Sequence, residues 1–157
     1  MGRALWLVCL LAVGCGGPRD PRSAEDKKVF ASGYGRVGTT PLEEFDRNRP
    51  GWEASKPEGE PDVDVRSTTK DVEIVALTAR SAENRFYKRV MYETSVTFDS
   101  QWLPRIRQYY GHSWGPPTSG IGTWETDAAR MTFEEDAAAK TARLVIRHKT
   151  AGPMRPE

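Results

Sequence analysis

Apolar residues are spaced in three ways along this chain of 157 residues, and the changes of spacing divide it. Ala4 to Val13 is an unbroken apolar run. Residues 16–28, GGPRDPRSAEDKK, hold two glycines, two prolines and eight charged or hydroxyl side chains, and read as a tether with too little apolar surface to order itself. Leu42 and Phe45 then stand three apart between Thr40-Pro41 and Pro50-Gly51, which predicts a short helix over 41–48. Thr40 is placed to cap it, Pro41 has the φ of a first helical position, and Glu43 can return a capping-box bond. A polar loop, EASKPEGEPD, precedes strands over 63–67, 71–79 and 85–98. In the last of these Phe86, Val90, Tyr92, Val96 and Phe98 alternate with Tyr87, Arg89, Glu93, Ser95 and Thr97, the period of a sheet with one wet face.

After a cap at Asp99-Ser100, Trp102, Leu103, Ile106 and Tyr110 return to helical spacing and predict an amphipathic helix ending near Gly111, with Pro104 inside its first turn. HSWGPPTSG reads as a loop, followed by strands over 121–126, 128–135 and 141–149. The tail 150–157, TAGPMRPE, carries two prolines and is expected to fray. Residues 29–149 therefore make one α+β domain, with about six antiparallel strands packed on one face by two short helices. Its halves, 36–98 and 99–149, share the order helix, Gly-containing stop, polar loop and three strands, which suggests a duplicated unit.

Charge narrows the function classes. Without residues 1–14, whose one charge is Arg3, the chain carries 22 cationic and 22 acidic side chains. That balance argues against nucleic-acid binding, which rests on a basic surface. Cys9 and Cys15 both precede the domain, which is left without a thiol for a disulfide, a metal or nucleophilic catalysis.

The apolar run of ten is half of what a membrane-spanning helix needs and fits a secretory signal. Ala12-Val13-Gly14-Cys15 resembles a bacterial lipobox, with Ala12 where that family usually has Leu. The resemblance implies cleavage after Gly14, lipidation of Cys15, and attachment to the envelope by acyl chains, two or more of which hold a protein stably on a bilayer. Gly16 in place of Asp after the cysteine points to the outer membrane.

In outline, the body resembles the small envelope lipoproteins of the SmpA/BamE type and the tandem-repeat β-lactamase inhibitor proteins. The residues that carry this are Val37-Gly38-Thr39-Thr40-Pro41-Leu42-Glu43-Glu44 at the first helix and, loosely, Gly115-Pro116-Pro117 after the second. Each half here has one helix where those families usually have two, and their disulfide cysteines are missing. The resemblance transfers no binding residue.

Gly33-Tyr34-Gly35-Arg36-Val37-Gly38 spells G-x-G-x-x-G. A dinucleotide site needs those glycines between a buried parallel strand and a long helix, and neither is predicted here. The glycines are expected to form a turn and a tight approach to the first helix, and no nucleotide or other cofactor is expected. His112 is assigned to a loop and His148 to an edge strand; pairing with Glu125 or Asp127 would be needed for acid–base work, and no spacing brings them together. There is no H-x-x-x-H or H-E-x-x-H pattern, so no metal site is expected, and Ser113, Thr118 and Ser119 lack a nucleophile elbow.

The aromatics Trp102, Tyr109, Tyr110, Trp114 and Trp124 cluster around the second helix and the loop after it, and the one apolar face of that helix cannot bury Trp102, Tyr109 and Tyr110 equally. Most of it should fill the core. Trp114, in the Gly-Pro loop, with Tyr110, Tyr109 and Trp124, forms the candidate partner-binding patch. The sequence thus reads as a non-enzymatic, lipid-anchored envelope protein that binds or organises another envelope protein. A carbohydrate or peptidoglycan binder using coplanar exposed aromatics, and a hydrolase with a His–carboxylate pair in a cleft, are the alternatives.

Overall fold

Residues 34–120 and 122–153 are described by a computed structural model. The signal segment, Cys15, the tether, Gly33 and the last four residues of the tail lie outside the described residues. Two helices and nine strands form among those described, α1 (Leu42–Asn48), α2 (Leu103–Trp114), β1 (Glu53–Ser55), β2 (Val63–Thr68), β3 (Glu73–Ile74), β4 (Leu77–Thr78), β5 (Ser81–Tyr87), β6 (Val90–Asp99), β7 (Thr123–Glu125), β8 (Ala129–Asp136) and β9 (Thr141–His148). Seven strands make one antiparallel sheet in the order β1-β2-β5-β6-β9-β8-β7, and β3 and β4 pair by themselves. The α+β class is as expected, with seven strands in the main sheet rather than about six.

Each half runs helix, then a meander: β2, β5 and β6 after α1, and β7, β8 and β9 after α2. The meanders meet where β6 pairs with β9, with Val96 opposite Leu144.

The register sorts side chains onto two faces. Ala82 lies opposite Val96, Val96 opposite Leu144 and Leu144 opposite Phe133, so these share a face. On it Leu42 and Phe45 of α1 and Leu103, Ile106 and Trp114 of α2 join Phe86, Met91, Phe98, Met131 and Ile146 in one buried cluster. Phe45 and Phe86 pack ring to ring at 5.4 Å. Arg66 of β2 reaches Asp46 of α1 with two hydrogen bonds, 2.7 and 2.9 Å, pinning the short helix that Leu42 and Phe45 alone would hold by two side chains. Asp46 is held below the usual carboxylate range by those bonds, against a smaller opposing effect of burial.

Four local expectations are corrected. The expected strand 85–98 is a hairpin, in which Tyr87 pairs with Val90 across a two-residue turn at Lys88 and Arg89, both at positive φ (48° and 68°). A bulge between Arg85 and Phe86 in the pairing then makes Tyr92 the extra residue, and Tyr92 packs with Val63 and Val65 on the other face. The expected strand 71–79 folds back at Val75 and Ala76 into the separate β3–β4 hairpin. The polar loop supplies β1, which pairs with β2 as an exposed edge. Finally, α2 does not stop at Gly111 but runs on to Trp114 and ends at Gly115, whose φ of 80° a side chain would oppose.

The helix starts also differ. Pro41 is the residue before α1 and no side chain caps it; Thr40 Oγ1 instead accepts the Arg36 amide at 2.8 Å. A single 3₁₀ turn, Ser100–Trp102, leads into α2, and Asp99 bonds Arg80 rather than capping. Pro104 sits in the first turn of α2 as expected. No helix among the described residues is long and apolar enough to cross a membrane.

Candidate functional site

The aromatic patch is mostly core. Trp114 is 9 % exposed and Trp124 5 % exposed, and the Trp124 indole N–H donates to the Gly115 carbonyl at 3.1 Å. This contradicts the placing of Trp114 in an open loop: the longer helix carries it inward. Tyr110 packs edge-on to Trp114 at 5.4 Å and against Phe133 at 6.1 Å, and Trp124 meets Phe133 at 6.0 Å. Phe133 is thus the hub of the cluster, a residue the sequence marks only as an apolar strand position. Burial, with a smaller contribution from Tyr109, pushes the Tyr110 phenol up to about 12. Tyr109, half exposed, is the one large hydrophobic side chain open to solvent among the described residues. Its ring stands at 89° to that of Tyr110, so the two are not coplanar.

The histidines lie apart. His112 sits on the exposed side of α2, its Nδ1 3.1 Å from the Gln108 carbonyl. His148 ends β9, which lies inside the sheet between β6 and β8 rather than at an edge. Its Nδ1 accepts the amides of Thr150 (3.2 Å) and Ala151 (3.0 Å), which assigns the ring proton to Nε2, and burial lowers its pKa. Glu125, one of the two acids such a pair would need, takes Arg130 (3.2 Å) and Lys149 (3.6 Å).

Of the glycine motif, Gly35 and Gly38 have φ of 121° and 84°. A Cβ on Gly35 would stand 2.6 Å from the Met91 side chain, and one on Gly38 2.4 Å from the His148 ring. The glycines therefore let the chain approach β6 and β9, not the first helix. The Gly38 amide fixes the turn by donating to the Met91 carbonyl at 2.6 Å.

The opposite face of the sheet carries the more suggestive surface. Ser95 lies opposite Val145 and Val145 opposite Thr132, so these three point away from the helices. Along the same face, cations and acids interlock: Glu83 with Arg85 (2.9 Å) and Arg143 (3.5 Å), and buried Glu93 with Arg147 (2.6 Å) and Arg143 (3.9 Å). Burial works against the Arg85 charge, but bonding to Glu83 outweighs it and holds the guanidinium above its ordinary range. Beyond β9 a groove of about 890 Å³ opens between the strands and residues 150–153. Tyr92 and Val145 are its buried floor, and Arg130, Thr132, Arg147 and Lys149 wall it. The returning chain lies against Tyr92, since a Cβ on Gly152 would stand 2.7 Å from its ring. The alternation of Arg130, Thr132 and Glu134 with apolar neighbours is the sequence signal for this wall, masked by its likeness to any wet sheet face. Comparison with family models, with curated proteins and with solved structures finds no match for this chain.

Proposed function

We propose that this chain is a lipid-anchored protein of the bacterial cell envelope, attached through Cys15 to the outer membrane, whose domain binds another envelope protein and carries out no chemistry of its own. The observation that carries the reading is the groove on the helix-free face, about 890 Å³ in volume. An apolar floor of Tyr92 and Val145 inside a rim of cations and acids is the layout of a protein-binding surface, with a desolvated centre and a polar edge. The rim cations are already paired with Glu93 and Glu125, so a partner must offer matching polar groups rather than plain negative charge. Of the aromatic residues first considered, Tyr109 is the one available as an outlying contact. A glycan platform of stacked rings has less support, because Trp114 and Trp124 are buried and Tyr109 and Tyr110 are perpendicular. The two helix-plus-meander halves joined at β6–β9 support the further reading that the domain arose by duplication.

A pull-down from native membranes tests the proposal, with acylated wild type beside Cys15→Ser and the groove-filling Thr132→Trp. Wild type should fractionate with membranes and recover one envelope protein. Cys15→Ser should become soluble, and Thr132→Trp should stay in the membrane and lose the partner. If Cys15→Ser fractionates like wild type the anchor is refuted; if Thr132→Trp keeps the partner the groove is.

A further inference from the structure

One wall of the groove on the helix-free face belongs to no strand. After β9 the chain turns back across that face, and Thr150, Gly152 and Pro153 line the groove beside His148. This strap, residues 150–153, covers apolar surface. Ala151 packs on the cluster of Val63, Val65 and Tyr92, and Gly152 comes so close to Tyr92 that a Cβ there would stand 2.7 Å from the ring. Lys149, just before the strap, donates its amide to the Ala128 carbonyl at 2.8 Å and so continues the strand pairing. The next two amides, of Thr150 and Ala151, both donate to a single atom, His148 Nδ1, at 3.2 and 3.0 Å. Among the described residues, no other hydrogen bond holds the backbone of the strap.

A neutral imidazole has one accepting nitrogen, and in this fold that nitrogen serves two donors. A proton on Nδ1 turns it into a donor, so both bonds are lost and three N–H groups face one another. The charged groups around the ring do not offset this. On β9, Arg147 and Lys149 flank His148; the first is bonded to Glu93 of β6 and the second pairs with Glu125 of β7. Ala129 of β8 stands opposite His148, and β8 also brings to the groove Arg130, which pairs with Glu125, and Glu134, which lies at the far end beside Arg143. From β6 comes the Tyr92 phenol. The turn 35–40, whose Gly38 lies against the ring, carries Arg36, which is exposed. Burial lowers the pKa of the ring, so the neutral, accepting form is the one present at neutral pH.

We propose that residues 150–153 are a pH-controlled strap, latched over the helix-free face by neutral His148 and released when that ring takes up a proton. Release removes one wall of the groove and uncovers Tyr92, Val63 and Val65. The strap opens as pH falls, because the open form, with an ordinary imidazole, binds the proton more readily than the latched one. The effect of release on a bound protein rests on the reading of the groove given above. The latch itself does not, and it is tested without a partner.

The test is amide hydrogen exchange, read residue by residue by NMR on the full chain at pH 7.5 and 5.5, in wild type and in His148→Asn. Asparagine keeps an acceptor and does not titrate. Protection factors, from which the intrinsic pH dependence of exchange is divided out, should fall for Thr150 and Ala151 of wild type by about three- to ten-fold, ten-fold being the limit at pH 5.5 for a ring with an open-state pKa of ~6.5. Leu144 and Ile146 should keep theirs, which separates opening of the strap from unfolding of the sheet. His148→Asn should stay latched at both pH values. Protection of Thr150 and Ala151 that does not change in wild type, that falls equally in His148→Asn, or that falls together with that of Leu144 and Ile146 overturns the proposal. So does, in wild type alone, a pH midpoint of the Thr150 and Ala151 amide shifts that differs from that of the His148 ring.

Discussion

Thr94→Val should raise the stability of the domain. Thr94 is buried in β6, and its Oγ1 has no partner. Leaving such an oxygen dry costs about 1–3 kcal/mol relative to water, and a methyl in its place removes that cost without changing shape or strand preference. Unfolding entropy for a domain of this size is roughly 250 cal/mol/K, so the gain corresponds to a rise in Tm of about 4–12 °C. The assay is calorimetry of wild type and Thr94→Val, with Thr97→Val as the control. Thr97 is only partly buried and stands opposite Ser81 and Arg143 on the other face of the sheet, so its replacement should move Tm by about 2 °C or less. A Tm of Thr94→Val equal to or below that of wild type would show instead that the hydroxyl has a stabilising partner, such as a bound water.

Gly38→Ala should destabilise by about 2 kcal/mol or more, measured by urea unfolding, since the φ of 84° and the His148 ring both oppose a Cβ. The folded pKa of His148 lies below its unfolded value of ~6.5, so its contribution is full above that pH and shrinks as pH falls through it. Tm should therefore drop between pH 7.5 and 5.5, and His148→Asn, which keeps an acceptor for Thr150 and Ala151, should flatten that drop. Glu93 is buried while Arg143 and Arg147 reach solvent, so the two sides of this ion pair are unequal. Replacing both arginines by Met strands a buried carboxylate and should cost about 3–5 kcal/mol, against about 1 kcal/mol for Glu93→Gln, as urea unfolding would report.

Much of the architecture is legible in the periodicity: both helices, the second meander and the core faces of β8 and β9 follow from apolar spacing. The first meander was harder to read, because its turns are made of Lys88-Arg89 and Val75-Ala76, where the usual Asn-Gly signal is missing although φ is positive. Without that signal two hairpins read as two strands. The bulge at Tyr92 compounds this, since one inserted residue reverses the face and only the pairing reveals it. Gly111 looks like a helix stop and so puts Trp114 in a loop, yet the helix passes through Gly111 and buries the indole. The groove is not legible, because it depends on register across β6, β8 and β9. The orphaned Thr94 is one more threonine in a strand until its neighbours are known.

Whether the helix-free face receives an envelope protein can be read by in-cell photocrosslinking from single positions. A crosslinking residue replaces Arg130 or Thr132 in the groove, and Glu53 on the exposed edge strand serves as control. One discrete adduct of the same partner is expected from both groove positions and none from Glu53. The same adduct from all three positions, or none from the groove, would contradict it.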